Sequence, residues 1–159
     1  MRNLPLWLAF LILAGALVGC SRETSPAAVT RPAPATDGVW WQPAPGTTWQ
    51  WQLSGVIDTS YNVEMYDIDL FEAPSEVIEQ LQDAGRTVIC YFSAGSWEDW
   101  RPDAGDFPPE LLGEPLSGWP GERWLDIRQV ELLTPIMAAR LDLAVEKGCD
   151  GVEPDNIDG

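Results

Sequence analysis

Glu153 and Asp155 stand two residues apart in Val152-Glu153-Pro154-Asp155, and Asp67 and Asp69 repeat that spacing in Tyr66-Asp67-Ile68-Asp69. Side chains alternate between the two faces of a strand, so each pair places both carboxyl groups on one face. Carboxylates directed into a fold are costly unless hydrogen-bonded, paired with cations or open to a cleft. The chain has one lysine and eight arginines to pair them. Histidine is absent, which excludes Ser-His-Asp and Cys-His catalysis and histidine metal ligation in this sequence. Acid–base or nucleophilic work then falls to Asp and Glu. Asp155, beside Asn156 and Asp158, reads as a site, whereas Asp69 and Asp150 read as strand-end acids that hold loop N–H groups. The segment Asp155 to Gly159 has the outline of part of a calcium loop, but the ligand spacing of an EF-hand is not met. The sequence implies neither a metal nor a cofactor.

The elements that must carry these acids follow from periodicity. Trp49-Gln50-Trp51-Gln52-Leu53 alternates and predicts a strand, and Val63 to Asp69 predicts a second. Pro74 opens a helix whose apolar face is Val77, Ile78, Leu81 and Ala84, with Gly85 as its stop. Thr87-Val88-Ile89-Cys90-Tyr91-Phe92 reads as a strand covered on both faces. Ser93 to Gly121 reads as a long loop rich in Gly, Pro, Trp and acids, and loops of that length in compact domains are usually functional. Trp124 to Ile127 predicts a short strand. Thr134-Pro135 reads as a helix start, with Ile136, Met137, Leu141, Ala144 and Val145 on the apolar face and Lys147-Gly148 at the end. Asp150 to Asp155 predicts a last strand. This alternation implies an α/β fold with parallel strands, as a (β/α)8 barrel cut at about half or as an open doubly wound sheet. Asp67, Asp69, Ser93, Asp126 and Asp155 all fall at C-terminal strand ends, where both architectures place their chemistry. No glycine-rich phosphate loop follows the first strand, so nucleotide binding lacks support.

The N-terminus reads as a leader. One basic residue, Arg2, precedes an apolar run from Leu4 to Val18, too short to span a bilayer comfortably and of signal-peptide length. It ends in Leu17-Val18-Gly19-Cys20, which resembles the bacterial lipobox. Residues 1–19 are thus expected to be a signal peptide and Cys20 a lipidated, membrane-anchored N-terminus. Ser21 in place of aspartate matches sorting to the outer membrane or cell surface. Residues 20–37, with Pro26, Pro32 and Pro34, read as a tether, and residues 38–159 as the folded part. The formal net charge is −16, which repels nucleic acid and anionic lipid and attracts cationic partners. The nine tryptophans exceed what a small core needs and suit stacking against sugar rings. Cys90, in mid-strand, and Cys149, just before another strand, are expected to be two buried thiols, with a disulfide as the alternative.

Four stretches resemble glycoside hydrolase family 114, the endo-α-1,4-polygalactosaminidases. They are Tyr66 to Asp69, Val88 to Arg101 (Val-Ile-Cys-Tyr-Phe-Ser-Ala-Gly-Ser-Trp-Glu-Asp-Trp-Arg), Trp119 to Arg128, and Gly148 to Gly159 (Gly-Cys-Asp-Gly-Val-Glu-Pro-Asp-Asn-Ile-Asp-Gly). The resemblance implies a (β/α)8 barrel that cleaves α-1,4 bonds in galactosamine-rich, cationic polysaccharide with two acids. One matches Asp155; the other is a glutamate on a later strand, past the last residue of this sequence. Substrate contacts are then expected from Glu153, Asp67, Tyr91, Ser93, Trp97, Glu98 and Asp126, with Trp100, Trp119 and Trp124 as further stacking surfaces. The competing expectation is a lipoprotein that binds polysaccharide without cleaving it, or an inactive fragment.

Overall fold

The computed structural model describes residues 41–157. The expected signal peptide, the lipidated Cys20, the tether and Asp158 lie outside these residues. Four strands form a parallel sheet: β1 (Trp49–Gln52), β2 (Met65–Asp69), β3 (Thr87–Ser93) and, last in the chain, β7 (Gly151–Asp155). They lie side by side in chain order, β1-β2-β3-β7, with no reversal.

The alternation in the sequence becomes a division of the sheet into two faces. Register sets Tyr66 beside Val88, Ile68 beside Cys90 and Val152, and Phe92 beside Pro154. Tyr66, Ile68, Val88, Cys90 and Phe92 are buried in one apolar core with Ile78 and Leu81 of α1 (Ser75–Asp83) and Ala144 of α2 (Val130–Lys147). The intervening residues take the other face: Trp51, Asp67, Ile89 and Gly151 in one row, Asp69, Tyr91 and Glu153 in the next, and Ser93 beside Asp155. Both helices end alike. Gly85 and Gly148 adopt φ of 77° and 81°, and the residues after them bond back to Leu81 O and Ala144 O. Positive φ costs glycine least, and this closure satisfies the last carbonyls of each helix.

Ser93 to Gly121 is not the featureless loop its composition predicts. It contributes β4 (Ser96–Glu98) and β5 (Leu112–Pro115), which flank β6 (Glu122–Leu125) in an antiparallel sheet of order β4-β6-β5. That sheet has its own core of Phe107, Leu111 and Leu125 against Leu133 and Ile136 of α2, with Trp97 packed beside it. β4 has only three residues in which to show a period, and Gly113 and Pro115 mask the alternation of β5.

Helix α2 also departs from its expected outline. It begins at Val130, so Pro135 lies inside it. Its buried stripe is Leu133, Ile136, Arg140 and Ala144, while Leu141 and Val145 are exposed. A charged residue therefore holds a core position. The Arg140 guanidinium lies over the rings of Phe71, Phe92 and Phe107, between 5.2 and 5.9 Å from their centroids. It bonds both carboxylate oxygens of Asp103, at 2.7 and 3.0 Å, and the Ser93 carbonyl. Cation–ring attraction and a bidentate carboxylate together meet the charge that burial strips of water.

The expectation of two thiols is corrected: Cys90 and Cys149 form a disulfide, their Cα atoms 6.0 Å apart. Cys149 sits in the α2–β7 turn, and β7 pairs with β3, so the fold brings together two residues 59 apart in sequence.

Candidate active site

The polar face of the parallel sheet collects acids at its C-terminal end, and each is neutralised differently. Asp69 is 2% exposed. It accepts the N–H groups of Phe71 and Glu72, the loop-holding part expected of it, and also pairs with Arg101 at 2.7 Å. The same guanidinium bonds Glu98 at 2.7 Å. Burial works against the Arg101 charge, but the bonds to Glu98 and Asp69 outweigh it and hold the pKa above its ordinary value. Glu98 is therefore buried in an ion pair. Trp97 donates its indole N–H to Ala104 O and packs on the second core. Glu98 is 3% exposed and Trp97 is half-buried.

Asp67 and Glu153 solve the problem without a cation. Asp67 Oδ1 and Glu153 Oε2 are buried, and no N–H group of the described residues reaches them. The two carboxyl groups bond each other, which needs a shared proton. The Asp67 pKa is pushed up to about 8, by burial first and then by its bond to and repulsion from Glu153. Asp67 therefore favours its protonated form near neutral pH.

Asp155 closes the row. The Tyr91 hydroxyl donates to Asp155 Oδ2 at 3.0 Å. Burial raises the Tyr91 pKa, and the nearby Asp155, Glu98 and Glu122 raise it further, so the phenol keeps its proton. Among the described residues this is the one hydrogen bond to the Asp155 carboxylate. Its backbone carbonyl, by contrast, accepts the N–H groups of Ala94 and Gly95. Asp150 does what was expected of it, accepting Val88 N–H at 2.9 Å, together with the Gln82 amide. Asp126 is occupied by Arg128, whose guanidinium bonds both its oxygens and, as the largest cause, holds its pKa at about 2.

Sequence reasoning missed several residues here. Trp51, on β1, is 58% exposed and lies beside Asp67 in register; its alternation with Gln50 and Gln52 was the available signal. Glu122 is 8% exposed and accepts from Ser96 Oγ. Its pKa is raised, chiefly by burial, with Glu98 and Asp155 adding to the effect and the Ser96 bond opposing it. Only its place in the Trp119–Arg128 stretch marked it. Trp100 and Trp119 are exposed, and Trp124 is half-buried.

A parallel sheet with acids at its C-terminal end defines a class of α/β proteins with a strand-end site, and comparison with known proteins narrows it. The profile of glycoside hydrolase family GH114 matches residues 30–159. The chain therefore belongs to glycoside hydrolase family 114. Among solved structures it is similar to Aspergillus fumigatus Ega3, in complex with galactosamine, at 56% identity and a TM-score of 0.72, covering 75% of this chain and 47% of that one. The glycoside hydrolase domain of PelA from Pseudomonas aeruginosa matches at 12% identity and a TM-score of 0.54, over 70% of this chain and 44% of that one, a likeness of fold alone. The chain thus spans about half the length of these structures. Comparison with curated proteins gives no match.

The shared proton has a measurable consequence. Folded Asp67 holds its proton up to about pH 8, against an ordinary value of 3.8. Between those values the folded state binds a proton that the unfolded state lacks, so this contribution to stability is complete below the lower value and is lost as pH rises through the upper. Asp67→Asn supplies a permanent donor to Glu153. Its melting temperature should vary less than wild type between about pH 5 and pH 8 and exceed wild type at about pH 9 by at least ~4 °C. An Asp67→Asn profile that parallels wild type across that range contradicts the shared proton.

Proposed function

We propose that this chain carries part of an exported, lipid-anchored glycoside hydrolase that cleaves α-1,4 bonds in galactosamine-rich polysaccharide, with Asp155 as one of its two catalytic carboxylates. The observation that carries the assignment is the treatment of Asp155. It sits at the C-terminal end of a parallel strand with one neutral donor, Tyr91, on its carboxylate, while Asp69, Glu98 and Asp103 are each committed to an arginine. A strand-end carboxylate bonded to a single neutral donor suits work as base, nucleophile or acid at an oxocarbenium-like centre. The second acid is a glutamate from a later strand, in the part of the relatives' fold that this chain does not span.

The strand order supports a (β/α)8 barrel, because barrels add strands in one direction around a closed ring, with helices outside and alternate residues inside. In that reading Trp51, Asp67, Tyr91, Glu153 and Asp155 line the interior towards its upper end. Galactosamine bound to Ega3 and the acidity of this chain both favour a substrate bearing ammonium groups. Glu153, beside Asp67, is positioned to meet such a group, and Trp51 offers an exposed ring for a sugar face.

Hydrolysis is tested in a chimera that joins residues 30–157 of this chain to the part of Ega3 that it does not span. Asp155→Asn should fold as wild type and lose about 10²-fold or more of its cleavage of galactosamine polymer. Asp150→Asn, which removes the acceptor for Val88 N–H, should lose stability instead, with turnover following the folded fraction. Near-native turnover in Asp155→Asn would remove Asp155 from the mechanism. Polymer binding without cleavage by the unmodified chimera would favour the non-catalytic binding protein.

Anchoring rests on Leu17-Val18-Gly19-Cys20 and is tested by fractionating cells that express the chain with Cys20→Ala. The variant should leave the membrane fraction and change mobility. If it stays there with unchanged mobility, there is no lipid on Cys20.

A further inference from the structure

Behind Asp155 lies a buried hydrogen-bond chain that the reaction scheme does not use. Ser93 ends β3, Ser96 opens β4, Glu122 opens β6 and Asn156 follows Asp155, so the chain joins both sheets. Ser93 and Ser96 are fully buried. Ser96 Oγ donates to Glu122 Oε2 at 2.8 Å. A hydroxyl has one proton to give, so in the 2.6 Å contact between the two serines Ser93 is the donor. Ser93 Oγ then accepts Ser96 N–H and Asn156 Nδ2, each at 3.0 Å, and Ser96 Oγ accepts Asn156 Nδ2 at 3.3 Å. Each hydroxyl has spent its proton and both lone pairs, and the chain runs one way, from the Asn156 amide to the Glu122 carboxylate.

Asn156 is also the one non-glycine residue with positive φ, 59°, among the described residues. Asparagine tolerates that conformation better than most side chains. The turn packs against Gly95 so closely that a Cβ there would stand 1.8 Å from the Asn156 carbonyl oxygen. Ala94 N–H and Gly95 N–H hold the Asp155 carbonyl at 2.8 and 3.2 Å. The backbone is therefore fixed on both sides of the peptide bond that leaves Asp155, and what remains free is the rotation of its side chain, which Tyr91 sets.

We propose that Ser93, Ser96 and Asn156 are positioning residues for Asp155, anchored on Glu122, and that the antiparallel β4-β6-β5 sheet serves as the strut against which this carboxylate is aimed. The proposal deepens the reading of Asp155 as a catalytic carboxylate and rests on it for its purpose.

The test uses the protein labelled with 15N and with 13C at tyrosine Cζ. The Cζ signal of Tyr91, assigned with Tyr91→Phe, reports whether its hydroxyl still meets Asp155, and Asp155→Asn gives its position without that carboxylate. Asn156→Gly keeps the left-handed backbone and deletes the amide; Ser96→Ala breaks the chain in the middle. In both, amides of β2 and of β3 up to Phe92 should exchange as in wild type. Ala94 and Gly95 N–H should exchange at least about fivefold faster, the effect of losing roughly one hydrogen bond. The Tyr91 signal should move towards its Asp155→Asn position. A folded Asn156→Gly with wild-type Tyr91 and Ala94–Gly95 signals overturns the proposal. So does loss of the fold in both variants, since positioning residues leave the scaffold standing. Turnover is not the readout, so the catalytic assignment of Asp155 stands or falls separately on hydrolysis by Asp155→Asn.

Discussion

The cost of burying carboxylates decides the arrangement of this molecule. Removing an ionised carboxylate from water is expensive unless a cation, a proton or a set of donors compensates. The polar face of the parallel sheet and the strands above it bury Asp67, Asp69, Glu98 and Glu122 at 8% exposure or less, with Glu153 and Asp155 half-buried beside them. Arg101 compensates two of these acids at once. A shared proton compensates the Asp67–Glu153 pair, and a serine hydroxyl serves Glu122. Asp155 receives a phenol. That sequence of compensations sorts the acids by role, because those bound to arginine are committed to structure, whereas Asp155 keeps its carboxylate at the open end of the strand row.

The same constraint explains why an antiparallel sheet is inserted between β3 and α2. The partners of the strand-end acids come from it: Arg101 and Glu98 follow from β4, Glu122 opens β6, and Asp103 receives Arg140 of α2. Arg140, ringed by three phenylalanines, fastens the helix to both the insertion and the end of β3. Removing one partner of such a buried ion pair typically costs about 3–5 kcal/mol, since the survivor is left charged and dry. The insertion is thus joined to the parallel sheet by charge and hydrogen bonds, while Met137 packs against both apolar cores.

The sequence made the parallel strands legible because their alternation carried a physical cost: Tyr66 and Ile68 need oil where Asp67 and Asp69 need partners. It marked Asp155 as a candidate through its strand-end position, which β7 has, and through the family resemblance. It hid β4, which is three residues long, and β5, whose Gly113 and Pro115 break the alternation. It also hid Arg140, since a counting of apolar positions rotates the stripe of α2 towards the exposed Leu141 and Val145. The disulfide was illegible for another reason, as its geometry exists only once β7 has paired with β3. Ser96, Gly95 and Asn156 are small or polar residues in turns, and their importance lies in distances that composition does not carry.

The central claim is that the face bearing Trp51, Asp67, Tyr91, Glu153 and Asp155 holds an amino sugar. Titrating an α-1,4-linked galactosamine oligomer into isotopically labelled protein and following side-chain and backbone signals tests it most directly. The account predicts shifts that saturate together at Tyr91, Glu153 and Asp155, weaken as salt screens the ammonium groups, and leave unchanged Asn62 and Arg86, which bond each other at 2.9 Å just before the N-terminal ends of β2 and β3. Shifts confined to Tyr61, Asn62 and Arg86, or none at Glu153 and Asp155 at saturation, would contradict it.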